Sequence, residues 1–140
     1  MYTVKVNYTD VEGNNVEETL LFHMSSRDWI KADEEKRSVG GYSEYIASYI
    51  SGDDTSPANV LIVLEDVIKR SYGVRSEDGK KFIRTQEVTD EFLNSLAYDA
   101  FLDDLLFRDG LSKDFIQSVL PKNVEIPEGM NDASGATPRS

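Results

Sequence analysis

The 140-residue sequence contains no cysteine, which excludes a disulfide scaffold and a cysteine-ligated metal centre and fits a reducing compartment. Histidine occurs once, at His23, so little is available for general acid–base work near neutral pH. Positive charge is scarce: 15 Lys and Arg stand against 26 Asp and Glu, a formal net charge of -11. Such a field repels nucleic acid and anionic lipid, so neither nucleic acid nor membrane is expected as a partner. No apolar run approaches the roughly 20 residues of a bilayer span. Residues 1–8, Met-Tyr-Thr-Val-Lys-Val-Asn-Tyr, lack the apolar stretch of a secretion signal. Together these absences predict a soluble protein made and kept inside a cell.

What is present suits one domain with a modest core, since 39% of the residues are apolar and 10% aromatic. Tyr2, Val4, Val6 and Tyr8 alternate as one face of a strand, and residues 16–22 form a second extended candidate. Residues 9–15 between them are rich in turn formers, so residues 1–24 are predicted to be a β-hairpin packed on a helical domain. Ser25 or Ser26 caps a short helix anchored by Trp29 and Ile30. After Gly40-Gly41, residues 42–50 place Tyr42, Tyr45, Ile46, Tyr49 and Ile50 on one stripe, closed by Gly52.

Ser56-Pro57 starts the strongest helix, residues 58–72, with Gly73 placed for the left-handed residue after its end. Its apolar face is Val60, Leu61, Leu64, Val67, Ile68 and Tyr72, and Ile62 and Val63 fall off that face. Residues 74–85 read as a polar excursion turning at Asp78-Gly79, with Phe82 and Ile83 docking back. A long helix then runs from Thr89 or Asp90 to about Arg108, ended by Gly110. Phe92, Leu93, Leu96, Ala97, Ala100, Phe101, Leu105 and Phe107 line one side of it; Tyr98, Leu102 and Leu106 lie nearly opposite. Residues 112–120 make a last helix. The predicted fold class is therefore mainly α: a compact helical domain, residues 25–121, of about five helices, an N-terminal β-hairpin and a disordered tail over residues 122–140.

Chemistry is sparse. His23 reads as a structural or surface histidine, and no Gly-x-Ser-x-Gly elbow accompanies it. Asp10-Val-Glu12-Gly13 lacks the ligand spacing of a calcium loop and reads as a hairpin turn. Asp99, Asp103 and Asp104 read as a solvated helix face, so no metal and no cofactor is expected. Arg70, Arg75, Lys80, Lys81 and Arg84 form the basic cluster, which either balances a negative surface or takes an acidic peptide. What remains is apolar surface in excess of one core. Tyr98, Leu102 and Leu106, then Ile62 and Val63, are the candidate partner-binding residues. The same excess predicts a homo-oligomer.

Ser71-Tyr-Gly73, Ser76, Asp78-Gly79 and Phe82, followed by Phe92, Ser95, Ala97-Tyr98, Phe101, Leu105, Phe115-Ile116 and Pro121, resemble in order the tail assembly chaperones of long-tailed (siphovirus-type) bacteriophages. The resemblance spans roughly residues 20–121, with residues 108–113 shorter and less alanine-rich than the family pattern. It implies a non-enzymatic protein of the host cytoplasm that binds the tape measure protein and keeps it soluble. It also implies that tail tube protein assembles with its help, and that the chaperone is absent from the mature virion. Motif residues Ser71, Tyr72, Gly73, Asp78, Gly79 and Phe82 are assigned architectural roles. The competing functions are a structural tail component (connector or completion protein) and an acidic DNA-mimic inhibitor. The latter needs carboxylates at phosphate-like spacing.

Overall fold

The structure is a computed structural model that describes residues 1–50, 56–108 and 111–121. The predicted tail, Gly52 and Gly110 lie outside the described residues. Strand β1 (Tyr2–Thr9) pairs antiparallel with β2 (Asn15–Phe22) along its whole length, from Tyr2 opposite Phe22 to Thr9 opposite Asn15. The Asp10 carboxylate closes the turn by accepting the backbone N–H groups of Glu12 and Asn14, each at 2.9 Å. Gly13 supplies the positive φ of 90° that the turn requires.

Helix α1 (Ser26–Glu35) follows, capped by Ser25: its hydroxyl accepts the Asp28 N–H while the Asp28 carboxylate accepts the Ser25 N–H. A single 3₁₀ turn, Arg37–Val39, leads to α2 (Tyr42–Tyr49). Helix α3 (Pro57–Ser71) starts with proline at its first position behind the Ser56 cap.

The chain then forms β3 (Tyr72–Arg75) and β4 (Phe82–Ile83), before α4 (Gln86–Leu93), α5 (Leu96–Phe107) and α6 (Leu111–Val119). Strand order in the sheet is β1-β2-β3-β4, with every neighbouring pair antiparallel.

This sheet overturns the mainly-α expectation: among the described residues there are six α-helices and four strands, an α+β arrangement. β3 and β4 escaped the sequence because they are only four and two residues long. They are too short for a period-two signal; β3 is recruited by pairing of Leu21 with Gly73 and Phe22 with Tyr72, and β4 by pairing with Val74 and Arg75 of β3.

Gly73 therefore does not take the left-handed conformation predicted for it. It is extended, and its need is space: an added Cβ would lie 2.7 Å from the Phe82 and Arg84 side chains and 2.8 Å from the Ile83 carbonyl oxygen. The long helix predicted to reach Arg108 is also two helices. Asn94 ends α4, and the Ser95 hydroxyl accepts the Tyr98 N–H at 3.1 Å to start α5.

One core unites these elements, and Phe22 is its hub. Fully buried on β2, it stacks on Phe101 of α5 with centroids 5.1 Å apart. It also meets Phe115 of α6 edge-on at 5.0 Å and Tyr72 of β3 at 5.6 Å. Tyr72 in turn stacks on Phe92 of α4 at 3.9 Å. Burying a side chain such as Phe22 contributes about 1.5–3 kcal/mol before packing is counted, and these contacts tie the sheet to the last three helices. On the other side, Trp29, Tyr42 and Tyr45 form a chain of rings joining α1 to α2.

Candidate interaction surface

Large apolar side chains that stay at the surface define the first feature. Phe107 at the end of α5 is 70% exposed and Ile30 on α1 is 65% exposed. Ile62 on α3 and Leu96 on α5 are each 38% exposed. Leu102 and Leu106 are half-buried against the core.

Val63 and Tyr98, in contrast, are buried, so two of the five predicted partner-binding side chains do not reach the surface. Val63 sits within the arc of Val60, Leu64 and Val67 on a helix turning about 100° per residue, so it belongs to the inward face. Tyr98 lies about 20° from Leu105 and about 60° from Phe101 in helical projection, so it shares their inward face. Ala97, Tyr98, Phe101 and Leu105 form the buried stripe of α5. The hydroxyl of Tyr98 has no hydrogen-bond partner among the described residues. Burial, then the charges of Glu65 and Asp99, pushes its pKa up to about 12.

The sequence grouping put Phe107 on the same side of its helix as Phe101 and Leu105, and made Ile30 an anchor. The helical projection itself carried the correction: Phe107 lies about 200° from Leu105, and Ile30 nearly opposite Ala32.

A second feature is polar. A shallow cleft of ≈ 300 Å³ is lined by Arg27, Asp28 and Lys31 of α1, Lys69 and Arg70 of α3, and Arg84 just after β4. Arg70 is held between Asp66, at 2.9 Å, and Glu35, at 2.7 Å. Asp66 also accepts the Tyr42 hydroxyl at 2.6 Å. Burial disfavours the Arg70 cation, but the hydrogen bonds to Glu35 and Asp66 outweigh it and keep the group charged.

Arg84 pairs with Asp28. Burial works to raise the Asp28 pKa, and the bonds from Arg84 and from Ser25 outweigh it, holding the carboxyl below its usual range. Arg27, Lys31 and Lys69 are exposed and have no ion-pair partner among the described residues. Of the basic cluster read from the sequence, Arg70 and Arg84 reach this cleft, while Arg75, Lys80 and Lys81 belong to the β3–β4 hairpin.

The remaining motif residues have structural partners. Ser71 is buried and its hydroxyl donates to the Val67 carbonyl at 2.7 Å. Asp78 accepts from the Ser76 hydroxyl at 2.7 Å and from the Lys80 N–H at 2.9 Å, beside Gly79 at φ 75°. Phe82 packs edge-on to His23, with centroids 6.2 Å apart. Burial, then the N-terminal ammonium and Arg84, lowers the His23 pKa against the opposing effect of Asp28.

A second, open trough along α4 is lined by Glu87, Val88, Asp90, Glu91 and Asn94, which offer carboxylates without a nucleophile. Among the described residues, no three metal-ligating side chains converge, and no helix is long and apolar enough to cross a membrane.

Fold and surface thus define a small, strongly acidic α+β domain presenting scattered apolar side chains and one basic cleft. The sequence matches the family model described as phage tail assembly chaperone over residues 1–132, and the chain belongs to that family. No curated protein and no solved structure matches it at a significant level.

Proposed function

We propose that the protein acts in the infected host cell as a non-enzymatic chaperone that binds the tape measure protein, keeps it soluble and promotes assembly of tail tube protein around it. The observation that carries this reading, beyond family membership, is the exposure of large apolar side chains on so acidic a domain. Phe107, Ile30, Ile62 and Leu96 stay at the surface, and Leu102 and Leu106 are half-covered. Exposed apolar surface lowers its free energy by covering another apolar surface. A helical, apolar partner laid against α3 and α5 meets that need. The net charge of -11 opposes clumping of the resulting complexes by mutual repulsion.

Ile62, Leu102 and Leu106 remain in the proposed contact set. Phe107 and Leu96 join it, and Val63 and Tyr98 are assigned to the core.

The test is co-expression with the tape measure protein of the same phage. The tape measure protein is expected in the soluble fraction, co-purifying with this chain. Equal insolubility with and without the chain, and no recovered complex, overturns the assignment.

A further inference from the structure

The basic cleft has no part in the apolar contact proposed above, and it is out of keeping with the rest of the molecule. Five cationic side chains gather there in a chain with 15 Lys and Arg in all and a net charge of -11. They come from three separate places: the first turns of α1, the last turn of α3 and the residue after β4.

Arg70 and Arg84 form a fixed floor. Each is largely buried and held by carboxylates, Arg70 by Glu35 and Asp66 and Arg84 by Asp28. The pairing neutralises much of their charge and fixes their geometry. Arg27, Lys31 and Lys69 are different: exposed, without an ion-pair partner among the described residues, and aligned on the same cleft. Unpaired cations held close together repel one another, and an incoming anion relieves that repulsion while gaining charge-assisted hydrogen bonds.

We propose that this cleft docks a carboxylate-rich segment of a partner polypeptide, with Arg27, Lys31 and Lys69 as the cations that pair with its Asp or Glu side chains. Size and field select this occupant. A space of ≈ 300 Å³ sits at the low end for a ligand site and takes one or two side chains, not a helix or a duplex. The lining is charged throughout, so an apolar anchor gains nothing there. A nucleic acid long enough to bind through its phosphates must also run over the acidic surface on either side, where the net charge of -11 repels it. A short acidic stretch engages only the cleft. The inference holds whichever tail protein supplies the segment, so it stands or falls separately from tape measure binding.

Fluorescence anisotropy of a fluorescein-labelled octaglutamate peptide, titrated with the full chain, tests it. Binding is expected, weakening as salt rises. In K31E/K69E it should weaken about tenfold or more, because two attractive charges become repulsive. K80E/K81E reverses two cations in the β3–β4 turn, outside the cleft, and should change affinity by less than about twofold. Lys31 and Lys69 are exposed, and circular dichroism of each variant verifies an unchanged fold.

Four results would overturn the assignment. They are no octaglutamate binding, equal loss in both double variants, equally tight binding of an oligothymidylate of the same length, or salt-sensitive self-association by light scattering that K31E/K69E abolishes. The last would make the occupant a second copy of this chain.

Discussion

At the scale of single residues, position in three dimensions decides roles that residue type leaves open. Gly73 shows this most sharply. A glycine just after an amphipathic helix signals a left-handed cap, and that is how its neighbourhood reads in the sequence. The structure instead continues directly from α3 into β3, and Gly73 is where β3 passes closest to Phe82, Ile83 and Arg84. Because one obstructing atom is a backbone carbonyl oxygen, 2.8 Å from the added Cβ, rotamer changes alone do not make room. Gly73→Ala should therefore lower stability by about 1–3 kcal/mol, the usual range for forcing extra volume into a packed site. A urea titration reads this directly, and an unchanged midpoint would contradict the close approach. Gly79, by comparison, was legible: Asp78-Gly79 announces a turn, and Gly79 does take a positive φ of 75°. A two-residue turn signal is local, whereas the crowding at Gly73 comes from residues nine and more positions away.

Among the secondary-structure elements, those with strong local chemistry could be read from the chain. Ser56-Pro57 marks the start of α3, and the alternation of Tyr2, Val4, Val6 and Tyr8 marks β1. What could not be read depends on partners. β3 forms on the edge that β2 offers at Leu21 and Phe22, and β4 pairs in turn with β3 at Val74 and Arg75; their sequences hold no strand pattern of their own.

The boundary between α4 and α5 failed for a different reason. Asn94-Ser95 lies between apolar residues that keep a helical rhythm on both sides, so the capping signal was masked. The break leaves the phase within α5 unchanged: Tyr98 lies about 20° from Leu105 and Phe107 about 200° from it. The Ser95 hydroxyl is what restarts the helix, accepting the Tyr98 N–H at 3.1 Å and donating to the Phe92 carbonyl at 2.7 Å. Ser95→Ala should lower stability by about 1 kcal/mol, typical of a lost N-cap, with helix content by circular dichroism almost unchanged. No loss in thermal or chemical stability would contradict its role as the cap.

On the scale of the whole molecule, composition and order of motifs carried more than any element boundary did. The short matches in sequence order resembled the tail assembly chaperones, and the family match over residues 1–132 agrees with them. The location of the contact surface was far less legible, because exposure is a property of the closed fold. Helical projection identifies an excess of apolar residues, but which of them the neighbouring elements cover depends on a sheet and a helix break that the pattern did not contain. With the fold in place, Tyr98 and Val63 are interior, and Phe107 and Ile62 project outward on two different helices.

Those outward side chains are the ones we propose to hold the tape measure protein. The most direct measurement is therefore co-expression of tape measure protein with I62D/F107D, whose substitutions lie outside the core and should leave the circular dichroism spectrum intact. Soluble tape measure protein recovered with the chain should fall by about tenfold relative to the unaltered sequence, as expected when anchoring apolar contacts are lost. Undiminished recovery with I62D/F107D, alongside robust recovery with the unaltered chain, would contradict the account.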